Sequence, residues 1–180
     1  MTTATYGGAV YNASNLTVSG STFTNNAVPN ILATDTTAEI MGAGGAIYNG
    51  KNLAVNNSVF TGNIGYISGA IGLADDSFTV ITNSTFDKNT AVGGGALYNT
   101  SGKVNLGIYN SEFTQNSATA GSSGAMHITH QTSNVFVYGS TFTGNTSTGR
   151  GGALNFGGTG YILDSTFNSV SYTHLRAHET

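Results

Sequence analysis

The sequence predicts an all-β fold, a parallel β-helix (solenoid) of about six coils with three short strands in each coil. Three observations predict it. A glycine box and a phenylalanine box recur as a pair six times in 180 residues. No window places apolar residues at helical spacing, and Gly and Asn interrupt every segment. A repeat of about 26 residues leaves room for three short strands and three corners, which is one turn of a solenoid.

The phenylalanine box supplies the columns that we expect to hold the coils together. Its aromatic residues are Phe23, Phe60, Phe86, Phe113, Phe142 and Phe167. An asparagine follows three positions later in five copies, at Asn26, Asn63, Asn89, Asn116 and Asn145. Identical positions of stacked coils lie about 4.8 Å apart. We therefore expect the rings to stack in the interior and the amides to form a hydrogen-bonded ladder at a corner.

The other columns predict strands and corners. A β-branched residue stands five positions before each phenylalanine, as at Val55 and Ile108. Gly, Asn or Asp stands three positions before it, and these residues tolerate positive φ in a tight turn. The second glycine of each glycine box is Gly8, Gly45, Gly69, Gly95, Gly124 or Gly152. We expect one strand at the glycine box, one at a Leu-x-Val type segment and one at the phenylalanine.

The chain is expected to form one repeat domain over residues 1–169. The first gap between phenylalanines is the longest because of a loop insertion at 27–43, which contains the only proline. Residues 170–180 match no repeat and resemble the conceptual translation of a sequencing-library adaptor. We therefore expect them to be a non-native or disordered tail, and we expect Met1 to be internal to a longer gene whose export signal lies elsewhere.

Composition excludes several classes of function. Charged residues make up 7% of the chain and the net charge is -3, so no basic face is expected for nucleic acid or anionic membranes. The absence of cysteine excludes disulfide scaffolds and thiolate metal sites. No apolar run of about 18 residues predicts a membrane helix.

Residues that could carry chemistry are scattered. The acids of the repeat region are Asp75, Asp76, Asp87, Glu112 and Asp164. Only the first two are adjacent, and Asp is common in solvated turns. His127 and His130 are three residues apart, a spacing that places side chains on opposite faces of a strand and disfavours joint metal ligation. Nothing in the sequence places Lys88 near Arg150. We predict no catalytic, cofactor-binding or metal site.

The paired motifs GGA-[ILV] and F-x-x-N resemble the repeats of chlamydial-type polymorphic outer membrane proteins. These belong to the right-handed parallel β-helix, pectin-lyase-like group, and the resemblance extends from Tyr6 to Phe167. It implies a surface-displayed passenger domain that acts in adhesion, often in an autotransporter with a C-terminal outer-membrane barrel. The implied location is the cell surface, the outer membrane or the extracellular space.

Three functions follow as hypotheses. The favoured one is a non-catalytic adhesin or structural spacer, with a host-cell receptor or surface glycan and the neighbouring coils of a longer chain as partners. Contact with a membrane would then require an anchor or barrel elsewhere. The second is a polysaccharide lyase or hydrolase, which predicts acids that converge in one groove. The third is an ice-binding solenoid, whose regular threonine array is interrupted by Val59, Asp87 and Glu112.

Overall fold

A computed structural model describes residues 6–28, 43–99, 102–120 and 123–172 as strands joined by short corners. Three parallel sheets contain six strands each. The first sheet consists of β1 (Val10–Asn12), β4 (Ile47–Asn49), β7 (Ile71–Leu73), β11 (Leu97–Asn99), β15 (Met126–Ile128) and β19 (Leu154–Phe156). The second consists of β2 (Asn15–Ser19), β5 (Asn52–Asn56), β8 (Ser77–Thr82), β12 (Val104–Tyr109), β16 (Asn134–Tyr138) and β20 (Thr159–Leu163).

The third sheet carries the phenylalanine box. Its strands are β3 (Thr22–Thr24), β6 (Val59–Thr61), β9 (Thr85–Asp87), β13 (Glu112–Thr114), β17 (Thr141–Thr143) and β21 (Thr166–Asn168). Each strand pairs in parallel with the equivalent strand of the next coil, so that Phe86 lies beside Phe113 and Phe113 beside Phe142. The predicted all-β parallel β-helix with three principal strands per coil is confirmed.

A fourth sheet was not predicted from the sequence. It consists of the two-residue strands β10 (Thr90–Ala91), β14 (Ser117–Ala118), β18 (Thr146–Ser147) and β22 (Ser171–Tyr172). Four coils, the third to the sixth, therefore have four strands each, whereas the sequence contains six repeats. Strands of two residues are too short to show the β-branched and aromatic run that marks a strand in sequence, so the sequence did not predict this sheet.

The glycine box forms a corner, which corrects the prediction of a strand there. Gly95 and Ala96 lie in a bend, and β11 begins only at Leu97, the last residue of the box. The backbone amides of Ala96 and Leu97 both donate to the carbonyl of Ala125 in the next coil. The paired glycines thus bring the chain into the first sheet, and the apolar residue after them opens the strand.

The corner before each phenylalanine has the predicted backbone geometry. All six residues of that column have φ between 47° and 58°, namely Gly20, Asn57, Asn83, Asn110, Gly139 and Asp164. A serine follows each of them, and its hydroxyl links coils. The backbone amide of Ser58 donates to Oγ of Ser84 at 3.1 Å, and that hydroxyl donates to the carbonyl of Thr82 at 2.7 Å.

The core runs along the inside of the coils. Its largest fully buried side chains include Phe60, Phe86, Phe113 and Phe142, with aliphatic residues from the first and second sheets packed beside them. In the sixth coil the equivalent positions are more open, and Phe167 is 40% exposed. The inner phenylalanines are therefore buried because a neighbouring coil covers them on each side.

The two segments that the sequence set apart lie largely outside the described residues. Of the insertion at 27–43, only Ala27, Val28 and Ala43 are described, and Val28 and Ala43 are buried. Of the tail at 170–180, residues 173–180 are not described, whereas Ser171–Tyr172 form β22 and pair with β18. Within the described ranges, no helix has the length and apolar character needed to span a membrane.

Candidate functional site

The repeated phenylalanines form one continuous stack inside the third sheet. Neighbouring ring centroids from Phe23 to Phe167 are 4.7–4.9 Å apart, and neighbouring ring planes differ by 2–9°. The four rings between these ends are fully buried. This spacing follows the strand separation, so the backbone ladder and the ring stack enforce the same register. The phenylalanine column is therefore explained by packing between coils.

The repeated asparagines form a ladder from Asn26 to Asn145. At its centre, Oδ1 of Asn89 accepts both the backbone amide and the side-chain amide of Asn63, at 3.0 and 2.9 Å. Nδ2 of Asn89 donates to Oδ1 of Asn116 and to the carbonyl of Phe60, both at 2.9 Å. These bonds use both donors and the acceptor of each internal side chain, so the ladder holds coils together and offers nothing to a ligand.

The second glycine of each glycine box lies where successive corners approach most closely. A Cβ on Gly95 would overlap the carbonyl oxygen of Gly124, and the same relation links Gly124 to Gly152. Any larger residue would push two coils apart. The glycine column, like the other two, is explained by contacts between coils.

The acids do not form one cluster, because Asp75 lies apart from Asp87 and Glu112, which are diagonal neighbours on the adjacent strands β9 and β13. Asp75 lies in the exposed turn between β7 and β8, where its carboxylate accepts the backbone amides of Asp76 and Lys103. Asp87 and Glu112 lie on the third sheet, and Asp87 is 3.4 Å from the ammonium group of its neighbour Lys88. Among the residues that the structure describes, no three His, Asp or Glu side chains are grouped to hold a metal ion.

The two histidines occupy different environments, and the premise that they share a strand is wrong. β15 ends at Ile128, so His130 lies in an exposed turn beside Thr132. His127 is buried, and its ring stacks on Tyr98 with centroids 4.9 Å apart. Burial, reinforced by the positive charge of Arg150, lowers the pKa of His127 to about 4. Its neutral ring contacts the amide of Asn155 at 3.2 Å.

The threonines beside the phenylalanines point outward on the third sheet but form no unbroken array. The register places Glu112 between Thr85 and Thr141, and Asp87 between Thr61 and Thr114. Val59 interrupts the same face and is 37% exposed. These three residues break the regular array that an ice-binding face requires.

The outer face of the second sheet carries a feature that the repeat alignment does not show. Between β8 and β20 there is an open groove of about 380 Å³. We call it the aromatic groove and define it by Phe78, Gly107, Tyr109, Phe136 and Tyr161. Phe78 is 50% exposed and Tyr161 is 59% exposed.

The floor of the aromatic groove is lowest at Gly107, which pairs with Val80 on one side and Phe136 on the other. A Cβ at this position would lie 2.8 Å from the ring of Tyr109. The rings are tilted and do not stack. Their centroids are 5.6 Å apart for Tyr109 and Phe136 and 6.4 Å apart for Phe136 and Tyr161.

Sequence reasoning missed this groove because none of its aromatic positions is occupied by an aromatic residue in every coil. The position of Phe78 holds Asn52 and Asn105 in the neighbouring coils, and that of Tyr161 holds Phe136 in the coil before. A search for conserved columns discards such positions as variable. The available signal was local: in Ser77-Phe78-Thr79-Val80 the apolar residues alternate with polar ones in the phase opposite to the core residues of the same sheet.

Comparison with known families agrees with this architecture. A family model described as a right handed beta helix region matches residues 2–142. The chain belongs to the right-handed β-helix family. A second model, described as the Chlamydia polymorphic membrane protein repeat, matches residues 139–157, which contain Phe142, Asn145 and the glycine box at 151–154. The resemblance read from the repeats is therefore confirmed. Searches of curated proteins and of solved structures gave no match.

Proposed function

We propose that this β-helix is a non-catalytic passenger segment displayed on the cell surface or outer membrane, where it acts in adhesion. One observation carries the proposal. The phenylalanine, asparagine and glycine columns are all used in contacts between coils. The rod thus keeps its shape without a ligand, and its outward positions are free to vary and to bind. The match to a polymorphic membrane protein repeat supports the surface location.

The proposed partner is a host-cell receptor or a surface glycan. Specific binding of either partner is favoured by a rigid scaffold that presents non-repeated side chains. A solenoid supplies such a scaffold, because each coil is held by its neighbours while its outward residues can differ from coil to coil. A purely structural role as a spacer would use the same rod but no particular outward residue. Adhesion therefore predicts that outward substitutions change binding while leaving the fold intact.

Bead adhesion tests the proposal. Beads coated with the folded chain should adhere to cultured epithelial cells several-fold more than albumin-coated beads, because many copies on one bead bind together. Beads coated with a Phe113→Ala variant, whose core is damaged, are the matched control. Adherence equal to that of albumin would contradict adhesion and leave the spacer.

An activity assay addresses the enzymatic alternative. The folded chain would be incubated with polygalacturonate and with neutral polysaccharides, and both new reducing ends and unsaturated uronates would be measured. We expect no product above a buffer control, because Asp75 lies apart from the third-sheet acids Asp87 and Glu112. Product formation that disappears on replacing one of these acids would overturn the non-catalytic proposal.

A further inference from the structure

Strand β8 places its aromatic side chain outward and its polar side chains inward. Ser77 and Thr79 are buried, whereas Phe78 between them is half exposed. The hydroxyl of Thr79 accepts the side-chain amide of Asn49 at 3.0 Å, but the buried hydroxyl of Ser77 has no hydrogen-bond partner. A buried polar group together with an exposed large apolar one is the reverse of what packing favours. Packing therefore does not explain Phe78.

Phe78 stands between two depressions on the outer face of the second sheet. One is the aromatic groove, and the other is an open groove of about 370 Å³ between β2 and β8, which Phe78 and Val80 also line. Together the two grooves extend along the rod across all six strands of the sheet. Five strand spacings correspond to about 24 Å. The surface is thus long and narrow, with the exposed ring of Phe78 near its middle and that of Tyr161 at one end.

The polar groups on this surface are uncharged. Outward positions of the six strands, from β2 to β20, hold no Asp, Glu, Lys or Arg. Asn134 donates to Oδ1 of Asn105 at 2.9 Å, and Asn52 donates to Asn15 at 2.7 Å. Since each amide offers two donors and an acceptor, each pair retains capacity for further hydrogen bonds.

We infer that the aromatic groove and its extension past Phe78 bind an uncharged glycan chain. A pyranose presents C–H groups on its faces and hydroxyls around its edge. Exposed aromatic rings can pack against the C–H faces, and the paired asparagine amides can form hydrogen bonds with the hydroxyls. A glycan also matches the elongated shape and the lack of charge. Gly107 supplies the depth, because a side chain there would fill the floor.

This inference deepens the proposed adhesive role by naming its ligand class, and it differs from the enzymatic alternative because it requires no acid. A protein partner is the competing class. Protein interfaces commonly combine an apolar centre with a rim that includes charged groups. The strands of this face carry no charge, and charged side chains such as Lys51 and Lys103 occur only in the turns at its edge. An acidic polysaccharide would require cationic side chains at outward positions, which the six strands do not provide.

A glycan array that carries neutral, sialylated and sulfated glycans tests the inference. The folded chain should bind neutral glycans, and calorimetry with the strongest oligosaccharide should give a 1:1 complex. Replacing the ring in Phe78→Ala or Tyr161→Ala should weaken binding roughly tenfold, the size of one lost aromatic contact. Gly107→Leu should weaken it as well, because the new side chain fills the groove and displaces the ring of Tyr109, which lies 2.8 Å from the position of its Cβ.

Tyr138→Ala is the matched control, because this tyrosine is 41% exposed on the same sheet but does not line the groove. Its affinity should equal that of the unmodified chain, and circular dichroism should show the same fold for all variants. Binding to acidic glycans only, no binding to any glycan, or equal binding by Phe78→Ala would overturn the inference. If the chain binds no glycan but coated beads still adhere to cells, adhesion stands and the partner is a protein; binding to acidic glycans only, or equal binding by Phe78→Ala, would leave adhesion standing with a glycan bound in another way. If neither binding occurs, both proposals fail.

Discussion

Two sets of aromatic residues in this rod obey different rules. Inside the third sheet, six phenylalanines stack with centroids 4.7–4.9 Å apart, one from every repeat. On the outer face of the second sheet, the rings of the aromatic groove are tilted and 5.6–6.4 Å apart, and no single position supplies an aromatic residue in every coil. The comparison teaches that repeated residues in this solenoid maintain the fold, whereas the unrepeated outward residues are available for function.

The largest effect expected from this comparison is at the centre of the phenylalanine stack. Phe113→Ala removes a fully buried ring from between Phe86 and Phe142. The free energy of unfolding should fall by about 3–5 kcal/mol, because the transfer free energy of the ring is lost and a cavity is left in its place. Urea unfolding followed by circular dichroism measures it. A loss below about 1 kcal/mol would show that the stack does not hold the coils together.

The asparagine ladder should give the next largest effect. Asn116→Ala removes the acceptor of the backbone and side-chain amides of Asn89 and leaves buried polar groups unpaired. We expect a loss of about 2–3 kcal/mol in the same unfolding experiment. Asn26→Ala, at the half-buried end of the ladder, is the control and should cost less. Equal losses at both positions would mean that burial of the ladder does not matter.

His127 sharpens the comparison because it is an unrepeated residue that is itself buried. Its pKa is about 4 in the folded chain, below the usual 6.5, so the unfolded chain binds the proton more readily. Stability should therefore be full above pH 6.5 and fall as the pH drops from 6.5 towards 4, by about 1–2 kcal/mol. His127→Gln, compared with the unmodified chain across this range, should lack that part of the pH dependence. If His127→Gln had the same pH dependence of stability as the unmodified chain, His127 would not be its source.

The corner column should respond weakly and in a specific way. Asn83 has a φ of 48°, a conformation that costs a residue with an ordinary Cβ about 1 kcal/mol. Asn83→Ala should lower the free energy of unfolding by about that amount, whereas Asn83→Gly should leave it nearly unchanged. The two variants, unfolded side by side in urea, measure the strain. A larger loss for the glycine variant would indicate that the asparagine side chain matters beyond its conformation.

The columns were predictable because a solenoid repeats its packing problem. Every coil requires a buried ring, a corner with positive φ and a hydrogen-bonded amide. The residues that supply them, such as Phe113, Asn110 and Asn116, therefore recur at the same position of each repeat. The strand boundaries at the glycine box were not predictable in the same way. Gly95 lies at a close approach of two corners and also just before a strand, and the sequence alone does not show that the strand begins only at Leu97.

The candidate site was hidden by the property that makes the fold readable. Phe78 interrupts a column of asparagines, and Gly107 replaces a side chain in a strand where glycine is normally unfavourable. Read alone, each residue is an irregularity. Only the register of β8, β12, β16 and β20 brings them together as one groove. The fourth sheet was missed for a related reason, since two-residue strands leave no period to detect.

The smallest effect provides the most direct test of the account. Phe78→Ala and Phe113→Ala remove the same ring, one from the outer face and one from the core, and their urea unfolding would be measured in parallel. Phe78→Ala should change the free energy of unfolding by less than about 0.5 kcal/mol, while Phe113→Ala should lower it by about 3–5 kcal/mol. Similar losses for both variants would contradict the separation of a repeated structural column from an unrepeated functional face.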